Sequence, residues 1–159
     1  MSLFFDVILD FLKKIIDPQN DIITDVRFYI EDDDNNMASG SLCVNTQFSE
    51  TLVFDALSGP YGLGALPEGR YTIQKPYKLS DNGQVDAYMG EFYAWVAPLT
   101  PEFKTERDGL LIHPDGNMKG TKGCIGIVKD DHDCYIALCD LFLDLNSKIT
   151  LEVIRKIKN

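Results

Sequence analysis

Apolar positions along the chain change period near residue 18. Residues 3–16 carry Leu3, Phe4, Val7, Ile8, Phe11, Leu12, Ile15 and Ile16 at i, i+3, i+4 spacing, which predicts an amphipathic helix ended by Asp17-Pro18. Such a helix either docks on the core of its own domain or serves as a docking helix for a partner or carrier protein. After Pro18 the period is two: Val26, Phe28 and Ile30 alternate with Arg27, Tyr29 and Glu31, the signature of a half-buried strand. Further strands are predicted over 41–45, 50–56, 70–75, 92–97, 110–113, 124–128 and 149–157. One more helix is predicted over 132–144, capped by Asp130 or Asp131, with Tyr135, Leu138, Cys139 and Phe142 on one face. The pattern is mainly β, with a helix over 1–20 ahead of one domain over 21–159, and no internal repeat or linker.

The connections are informative as well. Asp32-Asp33-Asp34-Asn35-Asn36 reads as a solvated hairpin tip; it lacks the glycine and distal glutamate of an EF-hand loop. Asp81-Asn82-Gly83 reads as a turn. The Gly/Pro stretch from Ser58 to Gly69 is not followed by Lys-Ser/Thr, so it is no phosphate loop.

Length and charge narrow the class. The chain has 159 residues, 45% of them hydrophobic, enough for one core without staples. Fifteen basic against twenty-five acidic residues leave a formal charge of −10, which argues against nucleic acid and anionic membranes as partners. No apolar run reaches the roughly 20 residues of a membrane span. The N-terminus has Asp6 and Asp10 but no basic residue before Lys13, so a Sec signal is not expected. Cys43, Cys124, Cys134 and Cys139 show no framework spacing, so reduced thiols are expected, including Cys134 and Cys139 within the second helix.

The densest chemistry lies between residues 110 and 127. A strand delivers His113, a polar glycine-bearing loop follows, and Cys124 opens the next strand. A free thiol titrates near pH 8.5, so an imidazole that takes its proton makes it a competent nucleophile. Lys119 and Lys122 add positive charge, and the N–H groups of Gly123 and Cys124 could face a developing oxyanion. Thr121 could hold the loop or contact substrate. Asp115 could orient His113 but suits the Pro-Asp-Gly turn better, and a backbone carbonyl could orient the imidazole equally well. The plain alternative is a core cysteine near a half-buried histidine. A zinc set of His113, Cys124, His132, Cys134 and Cys139 follows no common spacing.

Thr121-Lys122-Gly123-Cys124-Ile125, preceded by His113 at a strand end, resembles the catalytic motif of the L,D-transpeptidases, the YkuD-like family. Asp55-Ala56-Leu57-Ser58-Gly59 and Leu66-Pro67-Glu68-Gly69-Arg70-Tyr71 are similar to upstream segments of the branch found in type VI secretion toxins. The likeness spans roughly residues 50–155. It implies an L,D-transpeptidase-like β-sandwich or barrel acting on peptidoglycan stem peptides, without metal or cofactor. On that likeness Cys124 is the nucleophile, His113 the base, and Gly123 with Cys124 the oxyanion donors. Thr121, Lys122, Arg107 and Ser58 are then the substrate-binding side chains. Attack releases D-alanine, and an amine or water resolves the acyl-enzyme. The sequence departs from the family in a shorter His-to-Cys loop, Lys122 where many members carry His, and Gly126 where many carry Arg; Arg107 or Lys122 could compensate. The resemblance also implies an interbacterial toxin or phage wall-modifying enzyme, delivered to the periplasm or wall without Sec, with a possible immunity or carrier protein. The competing expectations are a non-catalytic module that binds peptidoglycan or a partner, and a structural component assembled through residues 1–18.

Overall fold

Val26, Phe28 and Ile30 point inward and are essentially solvent-free, as the alternation predicts, and they open the first strand, β1 (Val26–Asp34). The chain reverses at Asn35 and Asn36, both at positive φ (51° and 67°), into β2 (Met37–Asn45). Two consecutive left-handed residues give a turn whose twist matches the flanking strands, and asparagine tolerates that conformation better than most side chains. The computed structural model describes residues 25–46, 50–80, 85–143 and 148–156. The predicted helix over 3–16 and the Asp81-Asn82-Gly83 turn lie outside them.

Seven more strands follow: β3 (Thr51–Ser58), β4 (Gly69–Ile73), β5 (Tyr77–Lys78), β6 (Trp95–Pro101), β7 (Leu111–Pro114), β8 (Ile125–Ile127) and β9 (Ile149–Arg155). A short 3-10 turn, Val85–Tyr88, precedes β6, and one helix, α1 (Asp131–Asp140), lies between β8 and β9. The sheet order is β4-β9-β1-β2-β3-β8-β7-β6, and β6 pairs back onto β4, closing an eight-stranded barrel; β5 hangs on the start of β6. Closure removes the free edges that an open sheet would expose. The fold is mainly β, as expected, in its barrel form. Its interior is filled by Trp95, Tyr71, Phe28, Leu42, Ile112, Ile125 and Leu151, among others. No helix among the described residues is long and apolar enough to cross a membrane.

The hairpin tip is shorter than the expected Asp32–Asn36, since β1 runs through Asp34 and β2 starts at Met37 rather than at residue 41. Three further elements differ from the sequence reading. β6 begins at Trp95 and runs to Pro101, past Pro98, where the sequence suggests 92–97. The prolines are tolerated because β6 changes partner along its length. Trp95 and Val96 pair with β5, Ala97 and Pro98 with β7, and Leu99 to Pro101 with β4, so the missing N–H groups fall at a switch and at the strand end. Strand β5 is two residues long, too short for a periodic signal. In α1 the fully buried side chains are Cys134, Ala137, Leu138 and Leu141, while Tyr135 and Phe142 are only partly covered, so the inner face is rotated from the expected one. Asp131, in the first turn of α1, is buried as well. Its carboxylate enters the protein and accepts hydrogen bonds from Trp95 Nε1 (3.0 Å) and the Glu91 N–H (2.9 Å). The expected side-chain cap does not form either: Asp130, the capping residue, is left-handed (φ 55°) and its carboxylate makes no cap bond.

Candidate active site

Strands β7 and β8 are neighbours and parallel, with Ile112 opposite Ile125 and His113 opposite Gly126. Cys124 stands immediately ahead of β8 rather than opening it, with its sulfur beside the Leu111 N–H and the Gly109 carbonyl, next to the strand that carries His113. Ile112 and Ile125 are buried in the core.

His113 is buried, with 6% of its surface exposed. Its Nδ1 lies 2.6 Å from the carbonyl oxygen of Pro114. A carbonyl only accepts, so Nδ1 carries the proton and Nε2 is left as the acceptor. Of the two orienting groups considered from sequence, the backbone carbonyl fills the role. Asp115 instead accepts the Gly120 N–H at 3.0 Å and holds the loop. Burial pushes the imidazole pKa below its ordinary value, with the Pro114 carbonyl opposing, so the neutral form is favoured at neutral pH. The ring of Tyr88 stands edge-on to the imidazole, centroids 4.8 Å apart at 82°.

The Cys124 thiol is half-buried and donates to the Gly109 carbonyl at 3.8 Å. Burial pushes its pKa up, and the backbone N–H of Leu111, beside the sulfur, works against that shift. Among the hydrogen bonds of the described residues, none joins Cys124 to His113. The resting pair is thus a neutral thiol and a neutral imidazole, rather than a preformed thiolate–imidazolium pair. All four cysteines are free thiols.

Thr121 is the knot of the loop. Its Oγ1 donates to the Cys124 carbonyl (2.7 Å) and accepts the N–H groups of Gly59 (3.1 Å) and Gly123 (3.2 Å). That satisfies every hydrogen-bonding position of a hydroxyl. Two expectations change as a result. Thr121 holds the loop and offers no free hydroxyl to a substrate. The Gly123 N–H is engaged inside the loop and does not face a developing oxyanion. Backbone pairs between Gly59 and Thr121 (2.7 Å) and between Tyr61 and Thr121 (3.1 Å) stitch the Gly/Pro loop to the His-to-Cys loop. Ser58, expected to bind substrate, is fully buried, and its Oγ accepts the Leu66 N–H at 2.8 Å, so it too is a structural tie.

The remaining candidates sit close to the thiol. Gly123 is at φ 108°, and a Cβ there would lie 2.7 Å from Arg107 Nη1, so the guanidinium rests on the residue preceding Cys124. Arg107 also donates to the carbonyls of Leu63 and Gly64. Lys122 is exposed, with its backbone against Gly62. A Cβ at Gly126 would lie 2.9 Å from Asp115 Oδ1 and 3.1 Å from Thr121 Cγ2, so the loop occupies the space an arginine there would need.

Members of the zinc set are scattered. Cys134 is buried in the core face of α1, and His132 Nδ1 pairs with the Tyr93 hydroxyl at 2.8 Å. Among the described residues no three His, Cys, Asp or Glu side chains converge on a metal position. Tyr88 is the site residue that sequence reasoning passed over. It stands on a one-turn element 25 positions before His113, where no periodicity marks it. No family model, curated protein or solved structure matches this chain.

Proposed function

We propose that the protein is a cysteine-dependent enzyme acting on peptidoglycan stem peptides by acyl transfer or hydrolysis, of the L,D-transpeptidase or carboxypeptidase type. The observation that carries the reading is that Cys124 immediately precedes β8, the parallel neighbour of the strand that carries His113, whose Nδ1 is held by the Pro114 carbonyl and whose Nε2 is left to accept. The Thr-x-Gly-Cys motif and its resemblance to the YkuD-like family supply the substrate class.

In this mechanism a small movement brings the thiol to Nε2, which takes its proton as the sulfur attacks the stem-peptide carbonyl. The imidazolium then protonates the departing amine, releasing D-alanine and leaving a thioester on Cys124. Water or an acceptor amine attacks the thioester and the thiol is re-formed. The loop cations Arg107, Lys119 and Lys122 give an acidic protein a locally positive rim that suits the carboxylates of stem peptides. Used against a rival's wall after delivery without Sec, the same chemistry makes a toxin, with an immunity protein as partner; in a phage it makes a wall-modifying enzyme.

The test is incubation with tetrapeptide muropeptides followed by mass spectrometry. Loss or exchange of the terminal D-alanine is expected, together with a thioester adduct on the protein, and Cys124→Ala abolishes both. Full turnover by Cys124→Ala overturns the assignment.

The neutral state of both groups and the missing Cys–His hydrogen bond favour a second reading, a binding module that retains the fold. There the wild type releases no D-alanine, and Cys124→Ala leaves muropeptide affinity unchanged.

A further inference from the structure

We propose that Tyr88 is the positioning residue of the Cys124–His113 pair: its ring walls one side of the imidazole and holds it turned toward the sulfur. This inference rests on the catalytic reading of that pair.

Three observations support it. First, among the hydrogen bonds of the described residues none joins His113 to another side chain. Its hydrogen bond runs to the carbonyl of the next residue and sets the tautomer. The edge-on contact with Tyr88, at 4.8 Å and 82°, walls one side of the buried ring. Second, burial and, to a smaller degree, the charge of the Cys124 thiolate push the Tyr88 phenol pKa up, so the two side chains share one neighbourhood.

Third, Tyr88 is itself held. Val85 anchors its turn in the protein, and a Cβ at Gly116 would lie 2.5 Å from the Ala87 carbonyl oxygen, so the loop after β7 lies directly against the turn. On the other side, Met89 bridges to Ala94, Gly90 N–H donates to the Tyr93 carbonyl (3.0 Å), and Glu91 N–H donates to the buried Asp131. A side chain gripped on both flanks can restrain a neighbour. Among the described residues, Tyr88 is the titratable side chain in ring contact with His113. No charged side chain contributes to the imidazole's shift.

The test needs no substrate, so it is separate from the fate of the catalytic assignment. The chain has two histidines, and His132 serves as the internal control in an NMR titration of the ring protons. Tyr88→Phe keeps the ring and should leave the His113 titration where it is. Tyr88→Ala, which opens the site to water, should move it up toward the ordinary histidine value near 6.5, with His132 unmoved, whereas the space-filling Tyr88→Leu keeps the burial and should leave it in place. Emission from Trp95, the sole tryptophan, checks that each variant folds.

Alkylation of Cys124 by iodoacetamide, located by peptide mass, supplies the coupling. Tyr88→Leu should change the rate several-fold when His113 is present and leave it unchanged in a His113→Ala background. An unmoved His113 titration in Tyr88→Ala, or equal rate effects of Tyr88→Leu with and without His113, overturns the proposal. Should His113→Ala alone leave Cys124 reactivity unchanged, it is the catalytic reading of the pair that falls.

Discussion

Thr121 Oγ1 donates a hydrogen bond to the carbonyl oxygen of Cys124 at 2.7 Å. The same oxygen takes the N–H groups of Gly59 and Gly123, so one hydroxyl ties the reactive loop to itself and to the Gly/Pro loop across 62 residues of sequence. Thr121→Val keeps the volume but leaves two buried N–H groups and a carbonyl without partners. A stability loss of about 2 kcal/mol or more is expected in urea unfolding. Thr121→Ser should recover most of it. A Thr121→Val protein as stable as the wild type would contradict the arrangement.

The shifts at His113 and Cys124 set a pH window. The folded His113 pKa lies below its unfolded value, so as pH falls below about 6.5 the unfolded chain takes a proton that the folded one resists, and stability declines. The folded Cys124 pKa lies above its unfolded value, so stability declines again as pH rises past about 8.5. The contribution of this pair is therefore fully present between those limits. Unfolding midpoints measured from pH 5 to 10 should lose part of the acid-side slope in His113→Gln and part of the alkaline slope in Cys124→Ala.

Cys124 should also be a slow thiol at rest. Alkylation at pH 7 should lag a fully exposed thiol, with the rate still climbing above the usual thiol range. A rate plateau already reached below pH 7 would indicate a preformed thiolate instead.

Asp131 is 9% exposed and accepts from both Trp95 Nε1 and the Glu91 N–H. Asp131→Ala removes both bonds and is expected to cost ~2–3 kcal/mol, since hydrogen bonds to a charged acceptor exceed ordinary ones. Asp131→Asn turns one acceptor into a donor facing an N–H, so it should fall short of wild type as well. Emission from Trp95 reports both unfolding and the change at its indole.

Gly126→Arg should lower stability without raising muropeptide turnover. Its Cβ would press on Asp115 and Thr121, the two residues that shape the loop. A stable, more active Gly126→Arg variant would show that the loop can move aside.

Much of the barrel was legible because alternation survives burial. Val26, Phe28 and Ile30 read as inward positions in the sequence and are inward in the fold. The hairpin tip at Asn35-Asn36 was legible from composition. Strand β5 and the Val85–Tyr88 turn were not, since two- and four-residue elements carry no period. The burial of Asp131 was hidden for another reason: its partners, Trp95 and Glu91, lie 36 and 40 residues away.

From the sequence alone came a mainly β domain, a histidine closing one strand, a cysteine close to the start of the next, and a short glycine-bearing loop between them. These are local properties, written in side-chain period and turn chemistry. Only the tertiary structure decided that the two strands run side by side and parallel, and that Ser58, Thr121 and the Gly123 N–H bind the loops rather than a ligand. Those outcomes depend on hydrogen bonds between residues far apart in sequence, and pairing of that kind leaves no trace in the spacing of a single chain.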